Sequence, residues 1–293
     1  MKKKIIVTIP AYNESKSIDA VLKDIRSVMT KKKYNFEILV VDDGSSDDTA
    51  RIARKHAIVV KHPRNYGLAE TFKTEMKHCL DLGADIIVHT DADGQYPSRY
   101  IPALIEKVEE GNDLVLGIRF EKGNYSGSFM NRIGNIVFAK VLSGLLKTKI
   151  TDSTTGFRAF TREVAQLPKI NRFTYTQEQL IRAGKAHMKI AEIPITTNKT
   201  RKSRLFKNPF DYAIKAWINI LRIYRDYEPL KFFGSVGLSL IIFGVLVGLY
   251  VIYTILATGL NTRIGLSLIS ALLVLSGVQI LLFGFLADMK SSN

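Results

Sequence analysis

Two aspartates, Asp91 and Asp93, follow an apolar run in the sequence, and the side-chain amide of Gln95 comes shortly after them. Oxygen ligands of this kind suit Mg²⁺ or Mn²⁺, which keep open coordination positions for substrate phosphates. A metal that bridges a diphosphate would neutralise charge on a departing leaving group. Aspartate is also common in turns, so the position after an apolar run is what favours a metal site at Asp91, Asp93 and Gln95.

Two other polar segments follow apolar runs in the same way. They are Pro10-Ala11-Tyr12-Asn13-Glu14 and Asp42-Asp43-Gly44-Ser45. Each has a simpler interpretation: residues 42–47 could form only a turn with a helix cap, and Tyr12 could be a core aromatic. If all three polar segments meet in space, their side chains could bind one phosphorylated ligand.

The elements that must position these residues alternate along the chain. Apolar, β-branched runs occur at Lys4–Ile9, Glu37–Val41, Ala57–Val60, Asp85–His89 and Asp113–Leu116. Helical patterns lie between or after them at Ser17–Met29, Asp47–Lys55, Leu68–Leu82 and Ser98–Glu109. This alternation predicts an α/β fold with a mostly parallel sheet covered on both faces. Ligands bind beyond the carboxyl ends of such strands, so the three polar segments should lie side by side there.

Composition divides the chain into unlike parts. The 293 residues carry a formal net charge of +15, and of the basic residues only Lys231, Arg263 and Lys290 follow position 230. A basic globular part requires an anionic partner or surface. The single cysteine, Cys79, excludes an internal disulfide. The apolar run near the start of the sequence is too short for the core of a signal peptide, so we expect no cleaved leader. His56, His62, His78, His89 and His187 lack metal-ligand spacing and are interpreted as structural or exposed.

The C-terminal part predicts two membrane spans. The segments Phe232–Ala257 and Ile264–Ala287 contain no charged residue and are mostly apolar. Each is long enough to cross a bilayer. The short connector at 258–263 predicts a hairpin, and the basic residues before the first span predict that the globular part and both termini lie in the cytoplasm. Two such spans could also associate as a homo-oligomer. The alternative to membrane spans is that both segments are core helices buried within the protein.

A helix at 208–230 is expected to lie in the membrane interface. Its apolar residues recur at helical spacing: Phe210, Ile214, Trp217, Ile218, Leu221 and Tyr224. Basic residues fall between them, as in helices that bind anionic headgroups. Packing against the globular domain is the alternative. The predicted organisation is thus a domain at 1–207, an amphipathic helix at 208–230 and a transmembrane hairpin at 231–290.

Five motifs together resemble glycosyltransferase family 2, in its dolichyl-phosphate mannose synthase-like branch. They are Pro-Ala-Tyr-Asn-Glu (10–14), Val-Asp-Asp-Gly-Ser (41–45), Asn65-Tyr66-Gly67, Asp-Ala-Asp-Gly-Gln (91–95) and Thr-Gly-Phe-Arg (155–158). The resemblance extends to about residue 205, and the paired C-terminal spans are similar to those of the branch. It implies a Rossmann-like GT-A catalytic domain and inversion at the anomeric carbon of a transferred sugar.

The resemblance also implies roles for individual residues. The nucleotide-sugar would be bound by Pro10, Tyr12, Glu14, Asp42, Asp43, Asp91 and Arg119. Asp91 and Asp93 would be catalytic through the metal, and Asp152 would lie near the reacting centre. Arg119 would contact sugar or phosphate, and Arg132 and Asn135 would face the phosphate of the lipid acceptor.

A phosphate monoester acceptor agrees with the basic residues before the membrane part. Such a phosphate is mostly dianionic near neutrality. The main difficulty is therefore to hold this anionic acceptor beside the anionic donor. Lys199, Arg201 and Arg204 could neutralise it. The branch has Arg-x-Gly-x-Ser-Lys here, whereas this chain has Lys199 at the first position and Arg201 in place of glycine. Simple attraction to the membrane surface is the alternative role.

The sequence therefore predicts an inverting, metal-dependent transferase that moves a sugar from a GDP- or UDP-linked donor to dolichyl or undecaprenyl phosphate. A processive polysaccharide synthase is one alternative, although its Gln-x-x-Arg-Trp motif is missing and Trp217 is the single tryptophan. A non-catalytic membrane scaffold is another. A nucleic-acid binder is not favoured, because the basic residues are not interleaved with aromatics across a sheet.

Overall fold

The computed structural model describes residues 2–119, 139–144, 146–167, 175–198, 218, 221–222, 225, 227–259 and 264–291. The chain forms two compact units, divided between residues 209 and 210. The first unit contains the sheet and the polar segments, and the second contains two long apolar helices.

Seven strands form one sheet. They are β1 (Lys4–Ala11), β2 (Asn35–Asp42), β3 (Ile58–Lys61), β4 (Ile86–His89), β5 (Leu114–Ile118), β6 (Arg158–Thr161) and β7 (Ile190–Pro194). Their order is β3-β2-β1-β4-β6-β5-β7. Every pair is parallel except the two that involve β6, which runs antiparallel to both neighbours. The predicted α/β fold with a mostly parallel sheet is confirmed, and the five predicted strands are all present.

In the described part of the first unit, six numbered helices connect or cover these strands. They are α1 (Ile18–Lys31), α2 (Thr49–Ala53), α3 (Leu68–Asp81), α4 (Ile101–Glu109), α5 (Arg162–Gln166) and α6 (Tyr175–Lys185), with a 3-10 turn at Ser98–Tyr100. Residues 139–144 and 146 are also helical. The strands β6 and β7 and the helices α5 and α6 were not predicted, because they are short or irregular in pattern.

The core lies on both faces of the sheet, as alternation along the strands requires. On one face, Ile5, Val7 and Ile9 of β1 join a cluster with buried residues of α1 and α4. On the other face, Thr8 of β1 meets α3, whose Phe72 is also fully buried. Burial on both sides explains why these strands appear as continuous apolar runs in the sequence.

The direction of β6 has a direct effect on the sheet edge where β1, β2 and β4 end. Because β6 is antiparallel, its first residue, Arg158, pairs with His89 at the end of β4. The residues that precede β6 therefore lie at the same edge as the residues that follow β4 and β5. The fold in this way gathers a fourth and a fifth polar segment at that edge.

The second unit contains α7 (Pro229–Thr258) and α8 (Ile264–Ser291). Both helices are long and apolar enough to cross a membrane. Of the predicted amphipathic helix at 208–230, the described residues Ile218, Leu221, Arg222 and Arg225 are helical and exposed, whereas residues 227–230 are half-buried or buried. Its other residues lie outside the described residues.

Small residues allow α7 and α8 to approach closely. A Cβ atom on Gly237 would lie 2.6 Å from the carbonyl oxygen of Gly277, and one on Gly277 equally close to the carbonyl of Gly237. Ser270 of α8 donates a hydrogen bond of 2.7 Å to the carbonyl oxygen of Gly244 on α7. Glycine contacts and interhelical hydrogen bonds of this kind are what hold helices together in lipid.

Replacing Gly237 with alanine is expected to lower the thermal midpoint of the purified protein in detergent by several degrees. The added methyl group cannot fit against backbone, and overpacking of this kind costs about 1–3 kcal/mol. Gly234→Ala in the same helix is the matched control, because a Cβ there meets nothing within 4 Å. Equal midpoints for the two variants, measured by scanning fluorimetry, would contradict the packing.

Candidate active site

The polar segments after β1, β2 and β4 lie side by side, as predicted, because these three strands are neighbours in the sheet. Ala11 at the end of β1 pairs with Asp42 at the end of β2. Asp91 follows β4 after a single intervening residue. The three acidic or polar ends therefore form one continuous edge.

Asp42 is fully buried at this edge. Its Oδ1 accepts hydrogen bonds from the backbone N–H of Ser45, at 3.2 Å, and from the Ser45 hydroxyl. Its Oδ2 is buried and has no hydrogen-bond donor among the described residues, although the Lys61 ammonium lies 3.7 Å away. A buried acceptor in this state is suited to a ligand N–H.

Asp43 has a different environment from its neighbour. Its Oδ1 contacts Nδ1 of His62 at 2.8 Å and accepts from the backbone N–H of Tyr66 at 2.9 Å. Its Oδ2 accepts from the backbone N–H of Gly67 at 2.8 Å. The carboxylate of Asp43 is thus used to fold the 62–67 loop. The sequence predicts that both aspartates bind the nucleotide, whereas among the described residues Asp42, and not Asp43, has an oxygen without a hydrogen-bond donor.

Gly44 explains why this loop lies so near the end of β2. Its φ of 72° is in the left-handed region, and a Cβ would lie 2.4 Å from the carbonyl carbon of Arg64. No other residue can satisfy both conditions. The loop carries Tyr66, whose exposed ring lies 5.0 Å from the His62 ring.

The segment after β1 is held by the segment after β2. Asn13 donates its backbone N–H to the Ser45 hydroxyl at 2.9 Å, and its side-chain oxygen accepts from the Ser46 N–H at 2.9 Å. Pro10 is half-buried within β1, while the ring of Tyr12 is exposed. Tyr12 is therefore not a core aromatic, and its ring stands where a ligand ring could stack on it.

Glu14 and Asp47 complete this part of the edge. The backbone N–H of Glu14 donates to the Thr49 hydroxyl at 2.8 Å. Burial alone would raise the pKa of Asp47, but hydrogen bonds from Thr49 and Ser15 lower it to about 2. The carboxylate of Asp47 accepts the Thr49 N–H at 3.0 Å, as in a turn, whereas the N-cap of α2 is Asp48, whose side chain makes no cap hydrogen bond.

Asp91 is the most perturbed carboxyl of the edge. Burial raises its pKa to about 6, with His89 and Arg119 opposing the shift and Asp93 adding to it. A bound cation stabilises the ionised form of a buried carboxyl group. The backbone N–H of Gln95 donates to Oδ1 of Asp93 at 2.9 Å, which folds residues 93–95 into a tight turn.

The donor set at this turn fits a divalent cation that is completed by substrate. Among the described residues, no three His, Cys, Asp or Glu side chains form a metal site by themselves. Two carboxylates and the amide oxygen of Gln95 would leave positions for diphosphate oxygens, as Mg²⁺ and Mn²⁺ require. The metal residues predicted from sequence, Asp91, Asp93 and Gln95, all lie in the segment that follows β4, and their role as ligands stays a prediction.

Arg119 and Asp152 form a bidentate ion pair at the same edge. Nε of Arg119 lies 2.8 Å from Oδ2 of Asp152, and one terminal nitrogen lies 3.0 Å from Oδ1. The same nitrogen donates to the Thr154 hydroxyl at 2.8 Å. The Asp152 side chain is fully buried, and the Arg119 side chain is 14% exposed. The sequence analysis treated the two residues separately, Arg119 as a contact of sugar or phosphate and Asp152 as an acidic residue near the reacting centre, and in the structure they form an ion pair.

The 152–157 segment, which leads into β6, lies against Asp91. A Cβ atom on Gly156 would lie 3.2 Å from Oδ1 of Asp91 and 3.4 Å from the Tyr175 hydroxyl. The segment is anchored at its start by Glu192 of β7, which accepts the Thr151 N–H at 2.7 Å. The acidic end of β4 and the Arg119–Asp152 pair are thereby fixed in one site.

Replacing Gly156 with alanine is expected to reduce catalysis without unfolding the protein. The methyl group would displace the Asp91 carboxylate by a few tenths of an ångström, and a small misplacement of reacting groups costs up to about 10²-fold in rate. Gly144→Ala is the matched control, since a Cβ there meets nothing within 4 Å. Steady-state kinetics of both variants would test this. Equal activity of the two would show that Asp91 tolerates the shift.

Three buried polar residues behind this end of the sheet, Arg158, His89 and Glu75, received no functional role from the sequence. Arg158 is fully buried and donates to the carbonyl oxygens of Thr155 and Thr176. His89 and Glu75 are also fully buried and lie 3.3 Å apart. Burial alone would lower the pKa of His89, but Glu75 outweighs it and raises it. A histidine inside the apolar run before Asp91 was the signal that could have revealed this pair.

Several predicted residues lie outside the described part of the chain. They are the proposed acceptor residues Arg132, Asn135, Lys199, Arg201 and Arg204. Their roles remain predictions from sequence. Arg119 is the predicted acceptor residue that the structure places, and it lies beside Asp152 at the sheet edge.

Comparison with known proteins gives the site its context. The profile of glycosyl transferase family 2 matches residues 6–167, and that of the GtrB C-terminal hairpin matches residues 228–292. The dolichyl-phosphate hexose transferase of Haloferax volcanii is 34% identical over 65% of this chain and 81% of its own length. The undecaprenyl-phosphate 4-deoxy-4-formamido-L-arabinose transferase of Klebsiella pneumoniae is 28% identical over 88% of this chain and 78% of its own.

A solved structure of similar fold is glucosyl-3-phosphoglycerate synthase from Mycobacterium tuberculosis, in complex with Mn²⁺, uridine diphosphate and phosphoglyceric acid. It aligns with a TM-score of 0.58 at 22% identity, over 74% of this chain and 78% of that one. This likeness confirms the predicted GT-A fold. The family profile covers the acidic ends of β1, β2 and β4 together with the 152–157 segment, and the chain belongs to glycosyltransferase family 2.

Proposed function

We propose that this protein transfers a sugar from a nucleotide-sugar to a polyprenyl phosphate, with inversion at the anomeric carbon. The observation that carries the proposal is the buried Asp91 beside the Arg119–Asp152 pair, in a chain whose second unit is two apolar helices. Relatives named as dolichyl-phosphate and undecaprenyl-phosphate transferases support a lipid phosphate as the acceptor.

The nucleotide part of the donor would be bound between the ends of β1 and β2. Oδ2 of Asp42, which has no hydrogen-bond donor among the described residues, would accept an N–H from the base, and the exposed Tyr12 ring would stack on the base. Pro10 and Glu14 would shape the wall of this pocket. Asp43 would act through the 62–67 loop that it folds.

The diphosphate of the donor would lie over Asp91, Asp93 and Gln95. These residues would hold Mg²⁺ or Mn²⁺, which supplies positive charge to the diphosphate when it is bound. The buried Asp91 carboxyl, whose pKa is raised by burial, would be stabilised in its charged form by that cation. Neutralisation of the leaving group is the largest catalytic effect that this edge can provide.

The chemical step needs no strong general base. An oxygen of the acceptor phosphate attacks the anomeric carbon from the face opposite the diphosphate. The bond from that carbon to the diphosphate oxygen breaks, and the nucleoside diphosphate leaves with the electron pair. The acceptor oxygen carries no proton when the phosphate is dianionic, so no proton has to be removed.

Arg119 would hold the phosphate groups in place for this attack. Asp152 fixes the guanidinium through two parallel hydrogen bonds, which holds its positive charge at this end of the sheet. Arg132, Asn135, Lys199, Arg201 and Arg204 are proposed to bind the acceptor phosphate as well, on sequence grounds alone.

The two apolar helices would keep the enzyme in the membrane where its lipid acceptor resides. We place the catalytic domain and both termini on the cytoplasmic side, because the basic residues before the first span follow the positive-inside pattern. A cytoplasmic site would also have access to nucleotide-sugars.

The test is a transfer assay with the purified full-length protein. GDP- and UDP-linked radiolabelled sugars are each supplied with dolichyl phosphate or undecaprenyl phosphate, with Mg²⁺, Mn²⁺ or EDTA. The proposal expects label in the organic phase for at least one donor, lost in EDTA. Label in a polymer that organic solvent does not extract would favour a processive synthase. No label from any donor would favour a scaffold.

A further inference from the structure

A chain of buried polar groups lies directly behind the end of β4. The Thr8 hydroxyl donates to Oε1 of Glu75 at 2.9 Å. Oε2 of Glu75 lies 3.3 Å from Nε2 of His89. Nδ1 of His89 lies 2.7 Å from the carbonyl oxygen of Gly156. The side chains of Thr8, Glu75 and His89 are all fully buried, so this chain links β1, α3, β4 and the 152–157 segment inside the protein.

The hydrogen positions follow from the chemistry of the partners. A carbonyl oxygen can only accept, so Nδ1 of His89 carries a hydrogen and donates it to Gly156. Nε2 therefore faces the Glu75 carboxyl group. Two lone pairs at this distance would repel, so one proton belongs to the pair, on either Nε2 or Oε2. The contact itself is not aligned as a hydrogen bond, and these two atoms have no other partner among the described residues.

Stability alone gives no reason for such a pair. Burying a carboxyl and an imidazole carries a desolvation penalty, and apolar residues of the same shape are often equally stable. What apolar residues could not supply is a donor for the Gly156 carbonyl. The rings of Phe72 and Tyr175 lie 5.4 Å and 5.6 Å from the His89 ring and confine it in this orientation.

The position of Gly156 matters for the candidate active site. Its Cα lies so close to Asp91 that an added Cβ would be 3.2 Å from the carboxylate. The residues before it include Asp152, the partner of Arg119. A shift of the Gly156 carbonyl would therefore be felt both at Asp91 and along the 152–157 segment.

We propose that Glu75 and His89 are positioning residues, which hold the Gly156 carbonyl and thereby set the 152–157 segment against Asp91. The kinetic consequence rests on the function proposed above, whereas the geometric role of the pair does not. His89 is fully buried behind the end of β4, and it acts through its contact with the Gly156 carbonyl oxygen.

Three variants separate positioning from charge and from folding. Glu75→Gln keeps the hydrogen-bond chain, because its amide can accept from Thr8 and donate to Nε2 of His89, but it removes the carboxylate. His89→Phe keeps an aromatic ring and removes the donor. The double variant Glu75→Leu/His89→Phe removes the donor without leaving an unpaired buried charge, so it is expected to fold.

Two measurements are made on the full-length protein in detergent. Steady-state kinetics are expected to give a loss in kcat of at least about tenfold for the double variant, with KM for the donor changed less than about threefold. Glu75→Gln should stay within about threefold of the unchanged protein in both constants. Hydrogen exchange of the peptide that spans residues 152–158 should be faster in the double variant and unchanged in Glu75→Gln, while exchange in α1 stays constant in both.

The outcomes are distinct. A folded double variant with unchanged kcat and unchanged exchange at 152–158 would overturn the proposal. A loss of kcat in Glu75→Gln equal to that in the double variant would also overturn it, because the carboxylate charge would then matter more than position. If no donor gives transfer with the unchanged protein, the proposed function fails, and the exchange measurement still decides whether His89 holds the segment.

Discussion

Replacing Asp93 with alanine is expected to reduce sugar transfer by about 10³-fold or more, because a catalytic metal contributes several kcal/mol and each 1.4 kcal/mol is a factor of ten. Asp93 follows β4, and its described side-chain contact is with the Gln95 backbone in the same turn. The fold should therefore survive the change. Transfer into extractable lipid and the thermal midpoint are the two measurements.

Asp48→Ala is the matched control for this prediction. Asp48 is an exposed aspartate near the same edge, paired with Arg51 on the protein surface. Its loss should leave transfer within about twofold, since exposed ion pairs contribute little. Retained activity in Asp93→Ala would remove Asp93 from the metal site. An equal loss in both variants would indicate a general effect of charge.

Replacing Asp152 with alanine is expected to impair both folding stability and catalysis. It leaves the guanidinium of Arg119, which is 14% exposed, without its buried partner. Breaking a buried pair in this way costs about 3–5 kcal/mol. Loss of a fixed charge at a reacting phosphate should lower kcat by about 10²–10³-fold. Denaturation curves and steady-state kinetics, the latter recorded well below the variant's midpoint, measure the two effects.

Two further variants make this result interpretable. Glu110→Ala breaks the exposed Lys107–Glu110 pair and should change stability by less than about 1 kcal/mol and leave transfer unchanged. Arg119→Lys retains a charge and loses the planar fork, so it should fold and still lose catalysis. If Asp152→Ala or Arg119→Lys keeps kcat within threefold of the unchanged protein, the pair has no role in the chemical step.

Local sequence patterns were sufficient for the first half of the sheet. The five predicted strands match β1 to β5 within two residues at each end. Their apolar runs are buried on both faces, so the signal is strong at each position. The meeting of Tyr12, Asp42 and Asp91 at one edge followed from the rule that parallel strands end together.

The second half of the sheet could not be predicted in the same way. The strand β6 has four residues and begins with the charged Arg158, which is buried against backbone carbonyls. Its antiparallel pairing with β4 and β5 is a tertiary property with no local signal. Without β6, the sequence could not bring Asp152 together with Arg119.

Side-chain pairing was equally out of reach. In sequence, Asp42 and Asp43 are equivalent aspartates, and only the folded 62–67 loop distinguishes them. His89 appeared as one structural histidine among five, because its partner Glu75 lies on a helix whose pattern does not indicate which residues face β4. Hydrogen-bond partners depend on the packing of elements that are remote in sequence.

The Arg119–Asp152 pair joins residues that are 33 positions apart in the chain. Because β6 runs antiparallel to β5, residues 119 and 152, the two ends of the stretch between them, lie at the same end of the sheet. Substitutions and insertions in that stretch can therefore accumulate while the strand pairing of β5 and β6 stays the same. Relatives with the same donor-binding residues could in this way use different acceptors, while the Arg119–Asp152 ion pair at the ends of the stretch is unchanged.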